Sequence, residues 1–137
     1  MWWRLPRRRT AAGAETGQAL VELSIALPVL LILLLGVMEF GFMFSSYLGL
    51  LHGAREGVRA AALGADDAAI VQRIEAAAVQ LNTSRLTIRI QPGQGQRKAG
   101  STVTVTLNYR YEPLLPGVDG LLGGLVDLEA SYRMRVE

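Results

Sequence analysis

The chain contains no cysteine and a single histidine in 137 residues. Without cysteine no disulfide can staple a small domain, and the redox compartment is left open. His52 has no cysteine and no second histidine to complete a metal site, so it reads as a packing or interface residue. No G-x-S-x-G, phosphate-loop or dinucleotide fingerprint occurs. The segment GQGQRKAG at 93–100 is a turn between strand-like runs and lacks the strand-to-helix context that phosphate binding needs. The adjacent Asp66 and Asp67 are accounted for by helix capping. No catalytic residue, metal or cofactor can be assigned, and an enzyme is not expected.

Charge is also missing from a quarter of the chain: between Glu22 and Arg55 the only formal charge is Glu39. The run LSIALPVLLILLLGVM at 23–38 is uncharged for sixteen residues, and after Glu39 the run FGFMFSSYLGLL continues to Leu51. About 20 apolar residues in a helix cross a hydrocarbon core, so this segment is long enough to span a membrane. Glu22 and Glu39 stand seventeen residues apart, about 25 Å at about 1.5 Å per residue, so each can reach an interface by snorkelling. A cleaved secretory signal fits poorly, because the run is too long and offers no clear A-x-A site before a helical pattern resumes. The residues after the twin arginines, RRRTAAGAE, lack the apolar stretch such a signal requires.

The cationic excess lies in one short arm. Arg4, Arg7, Arg8 and Arg9 face only Glu15 within the first sixteen residues, and the remaining ten basic and eleven acidic residues nearly cancel. This is no nucleic-acid surface. Positive residues beside a first span stay cytoplasmic, which predicts a single-pass protein with its N-terminus inside and its C-terminal domain outside the cytoplasm. Pro28 removes one backbone donor from the run and is expected to bend or loosen the helix near residues 22–27. Small residues recur every fourth position at Gly41, Ser45, Gly49, Gly53, Gly57, Ala61 and Ala65. That spacing makes a close-approach ridge, but four residues overshoot a turn by about 40°, so one partner can follow about three positions. Helix-compatible small residues with no partner remain the alternative reading.

Beyond Gly64 the period changes. Asp66 and Asp67 can cap a short amphipathic helix whose Ile70, Ile74, Ala77, Ala78 and Leu81 recur at helical spacing to about Asn82. Leu86, Ile88 and Ile90 then alternate with polar residues, and after the turn-rich 92–101 segment so do Val103, Val105, Leu107, Tyr109 and Tyr111. A last strand sets Leu128, Ala130, Tyr132, Met134 and Val136 on one face. The expected fold class is α+β: a long N-terminal transmembrane helix, a short second helix, and a small three-stranded antiparallel sheet covering it on one face. Arg89, Arg110, Arg133 and Arg135 mark the polar face as solvated or as a subunit contact. The connection 112–124 carries Leu114, Leu115, Leu121 and Leu122 among Pro and Gly, which either tuck under the sheet or form a contact patch.

The segment 17–62, and within it VEL at 21–23, Pro28 inside the apolar run, GVMEFG at 36–41 and AREGVRAA at 54–61, resembles the head of the TadE-like family of tight-adherence (Flp-type) pilus proteins. The stretch PLLPGVDGLLGG at 113–124 with a terminal strand is similar to the tails of such proteins. The resemblance implies a minor pilin or pseudopilin of a reduced pilin architecture, anchored in the bacterial inner membrane and working with a secretion machine. It further implies processing by a prepilin peptidase after Gly17, five positions before Glu22. The result would be a basic cytoplasmic leader (1–17), a transmembrane and extended helix (18–62) and a small periplasmic domain (63–137). Gln18 would then carry a free amine, departing from the Phe or Met usual there, and Glu22 would pair with the amine of a neighbouring subunit, either the major Flp-type pilin or another minor pilin. The secretion platform and its ATPase are implied as indirect partners. A generic single-pass anchor presenting a small periplasmic binding module is the alternative.

Overall fold

The computed structural model describes residues 12–115, Gly117, Gly120 and 123–137, with side chains from Gly17 onward. The four arginines of the N-terminal arm, and Leu121 and Leu122, lie outside the described residues. The chain runs as helix α1 (Ala12–Ala62), helix α2 (Asp67–Ala77), a short 3-10 turn (Thr83–Arg85), and strands β1 (Leu86–Gln91), β2 (Thr102–Tyr111) and β3 (Val126–Arg135). It divides into two compact units, one ending at Val37 and the other starting at Met38.

In the first unit α1 continues unbroken through Pro28. Leu23, Ile25, Val29, Ile32 and Val37 are all exposed, as are the leucines between them. Residues Gly17–Ala62 are long and apolar enough to cross a membrane, with mean hydropathy 2.6 and none of the most apolar window buried. A core helix of a water-soluble domain would bury one stripe; the stretch of α1 from Leu23 to Val37 buries none. The eleven Leu, Ile and Val residues between Leu23 and Met38 favour lipid by about 0.3–0.6 kcal/mol each, together roughly 3–7 kcal/mol.

In the second unit the three strands form one antiparallel sheet in the order β1-β2-β3. Leu86 stands opposite Tyr109 and Ile90 opposite Val105 on one side of β2, while Val105 faces Tyr132 and Tyr111 faces Val126 on the other. Alternation in β2 sends Val103, Val105, Leu107, Tyr109 and Tyr111 to the buried face. They meet Leu50, Ala54, Val58, Ala61 and Ala62 from α1, Ile70 and Ile74 from α2 and Ala78 at its C-terminal cap, so the core lies between the sheet and the two helices. The arginines Arg89, Arg110, Arg133 and Arg135 are on the exposed face.

Local chemistry explains the boundaries. Asp66 caps α2 by accepting from the Ala69 amide at 2.7 Å. Asp67, in the first turn, binds Arg97, whose other nitrogens donate to the carbonyls of Ala65 and Pro92 at 3.1 Å each. This side chain fastens the 92–101 turn to the start of α2. The helix ends at Ala77, ahead of the Asn82 suggested by spacing, because the Leu81 amide bonds to Ala78 in a tightened turn. Asn82 then accepts from the Ser84 amide and hydroxyl. The Glu137 amide donates to the Ala62 carbonyl at 3.0 Å, tying the residue after Val136 to the end of α1.

Candidate functional site

Two stretches of α1 carry the candidate residues. At its head, Gly17 lies within the helix, with nothing within 4 Å of where a Cβ would stand. Gln18 and Glu22 follow one turn apart on the exposed surface, and the Gln18 Nε2 donates to Glu22 Oε1 at 3.1 Å. Among the described residues no cation pairs with Glu22. A carboxylate beside an apolar run, with one neutral partner, is left able to take a positively charged one.

The small-residue ridge divides. Gly41 faces open space, and Ser45 is exposed, its carbonyl accepting from Gln80 Nε2 at 3.5 Å. Gly49, Gly53 and Gly57 are buried inside the chain's own domain. A Cβ on Gly49 would lie 2.9 Å from Gln80 Cδ. On Gly53 it would meet Ala78 Cβ at 3.2 Å and Leu107 Cδ1 at 3.3 Å, and on Gly57 Ile74 Cγ1 at 2.6 Å. Three of the five positions thus let α2, the turn that follows it and β2 approach α1. These partners are intramolecular.

Glu39 is the residue whose role spacing alone missed. It does not snorkel: it is 2 % exposed, the one buried charged residue among those described. Tyr111, at the end of β2, donates its hydroxyl to Glu39 Oε1 at 2.5 Å. The Leu114 amide donates to both carboxylate oxygens, at 3.1 and 3.2 Å, and the Leu115 amide to Oε2 at 3.0 Å. Among the described residues only neutral donors cradle the carboxylate, and charge-assisted bonds of this kind are stronger than neutral ones. Burial first, then the Glu39 bond, raises the Tyr111 phenol above its ordinary value and keeps it a donor. The signal that pointed here was a lone charge in an apolar run, a tyrosine on the buried face of a strand end, and leucines in the loop that follows.

His52 is exposed, and among the described residues no group of three or more His, Asp or Glu could hold a metal ion.

A bare apolar helix leading into a small α+β domain defines a helix-led protein of the kind that can be anchored in a membrane. Residues 17–59 match the family model described as TadE-like protein, so this stretch of the chain is similar to TadE-like proteins. The match covers both Gly17 with Glu22 and the whole of Gly41–Gly57, and it suggests involvement in tight-adherence pilus assembly. Searches of curated proteins and of solved structures find no match.

Proposed function

We propose that the protein is a minor pilin or pseudopilin that helps assemble a tight-adherence (Flp-type) pilus, a structural subunit and not an enzyme. The observation that carries this reading is the TadE-like match beginning at Gly17, the residue five positions before Glu22 at the head of the apolar helix. In this reading α1 crosses the inner membrane once, with the arginine arm in the cytoplasm and the α+β domain in the periplasm. A prepilin peptidase cleaves after Gly17 and frees the Gln18 amine. Glu22, exposed and with no cation paired to it among the described residues, pairs with the amine of an adjacent processed pilin, which offsets the cost of a charge near lipid. The major Flp-type pilin and other minor pilins are the direct partners, and the secretion platform and ATPase act through them.

The test is the N-terminal sequence of protein purified from membranes of cells with an active prepilin peptidase. A mature chain starting at Gln18, lost in Gly17→Leu, is expected. A chain that keeps the residues ahead of Gln18 while a known prepilin in the same cells is processed would overturn the pseudopilin reading and favour a generic anchor.

A further inference from the structure

Strand β3 is one edge of the sheet, and among the described residues no strand pairs with its outer side. It runs for 10 residues without proline or glycine, in unbroken register with β2. So long an edge is a template for another strand, because half of its amides and carbonyls have no partner. The hydrogen bonds fix which half. The Val136 amide donates to the Ser101 carbonyl at 2.8 Å, and the Val136 carbonyl accepts from the Gly100 amide at 2.8 Å. Backbone groups alternate sides along a strand, so Val136, Met134, Tyr132, Ala130 and Leu128 turn theirs toward β2. Asp127, Glu129, Ser131, Arg133 and Arg135 turn theirs outward, and their side chains are all exposed.

Those residues read acid, acid, neutral, base, base, an order that is its own complement when the strand is reversed. A second copy of β3, antiparallel and centred on Ser131, sets Asp127 opposite Arg135 and Glu129 opposite Arg133, each couple occurring twice. The outward-facing residues then meet as hydrogen-bonded pairs and exchange about ten backbone bonds. On the other face Leu128 falls opposite Met134, which is 40 % exposed in the single chain, and Ala130 falls opposite Tyr132. Sliding the pair by two residues one way sets Asp127 against Glu137, and the other way leaves Glu129 opposite Ser131. The charges therefore select one register. They are also free to do so: among the described residues Glu129, Arg133 and Arg135 enter no ion pair, and Asp127 meets only Arg110 at 3.6 Å, with both side chains well exposed. The opposite edge, β1, carries one charge, Arg89, and no acid to set against it.

We propose that β3 is a dimerisation edge whose occupant is β3 of a second copy, antiparallel and centred on Ser131, joining the two sheets into one. The second copy is the occupant because the edge is charge-complementary to itself. The inference concerns the unit starting at Met38 and rests on neither the spanning nor the pilin reading.

The test uses the full chain in detergent, with micelles in excess, followed by sedimentation. A dimer is expected. Because the chain has no cysteine, Ser131→Cys should oxidise to a linked dimer, while Thr87→Cys on β1 should not. Glu129→Arg and Arg133→Glu each set like charges opposite one another at two places, and each should weaken the dimer by about tenfold or more. Mixed together, the two variants are complementary again and should associate as the parent does, and so should the double variant. Misfolding would not give that recovery. A parent chain that stays monomeric at every concentration reached overturns the proposal. A dimer indifferent to both charge reversals also overturns it and assigns association to another face, and single variants that weaken without recovering on mixing overturn the pairing of Glu129 with Arg133.

Discussion

Replacing Gly57 by alanine adds one methyl group at a point where α1 meets both α2 and β2. Two effects oppose each other. Alanine in place of glycine in a helix interior stabilises by about 1 kcal/mol. The new Cβ, however, would stand 2.6 Å from Ile74 Cγ1, 2.7 Å from its Cδ1 and 3.4 Å from Val105 Cγ1. Ile74 and Val105 are both 0 % exposed, so neither can swing into solvent, and forcing a methyl group into such a core costs about 1–3 kcal/mol. Steric cost should win, leaving Gly57→Ala less stable by roughly 1 kcal/mol. For a domain of this size that lowers Tm by roughly 4–8 °C. At Gly53 the nearest atoms are 3.2–3.4 Å away, close enough for the terms to cancel. At Gly41 nothing lies within 4 Å, so alanine should be neutral or stabilising there. The measurement is thermal unfolding of the three variants in one detergent, followed by near-ultraviolet circular dichroism of the tyrosines. If Gly57→Ala melted at or above Gly41→Ala, the account of the ridge as an internal groove would be wrong.

Other expectations follow from single contacts. Asp66→Ala should cost about 0.5–2 kcal/mol through loss of the α2 cap, with Asp66→Asn nearly neutral, in the same melting assay. Because the folded-state Tyr111 phenol is raised above 10.0, its contribution is fully present below pH 10 and is lost as pH climbs through the folded value, where only the unfolded chain ionises. Unfolding titrations should therefore show stability falling above pH 10 more steeply in the parent than in Tyr111→Phe, and identical slopes would contradict the buried donor. Glu22→Gln should leave cleavage and membrane insertion intact but reduce crosslinking between processed subunits in membranes containing the partner pilins. Undiminished crosslinking with normal fibres would make Glu22 a passive interface residue.

Strand positions were readable because β2 alternates over ten residues and its partners alternate in phase, so one face had to be apolar. The cap of α2 was readable from Asp66, while its end was not, since Leu81 keeps helical spacing and yet sits in a tightened turn after Ala77. The ridge announced close approach but not the partner: Gly57 could have met another subunit as easily as Ile74. Glu39 was the largest gap. Its donors lie 72–76 residues away, two of them are backbone amides, and a backbone amide carries no residue-type signal in a sequence.

That separation also has a meaning in time. A ribosome adding about 5–20 residues per second needs roughly 4–15 s to make the chain between Glu39 and its donors. During that interval the growing protein has an apolar helix and, after its uncharged run at 23–38, a carboxylate with nothing to bond but water. Burying Glu39 away from water is disfavoured until Tyr111, Leu114 and Leu115 arrive. The surroundings of Glu39 are therefore provisional while the chain grows, and the late arrival of one tyrosine and one turn completes its cradle.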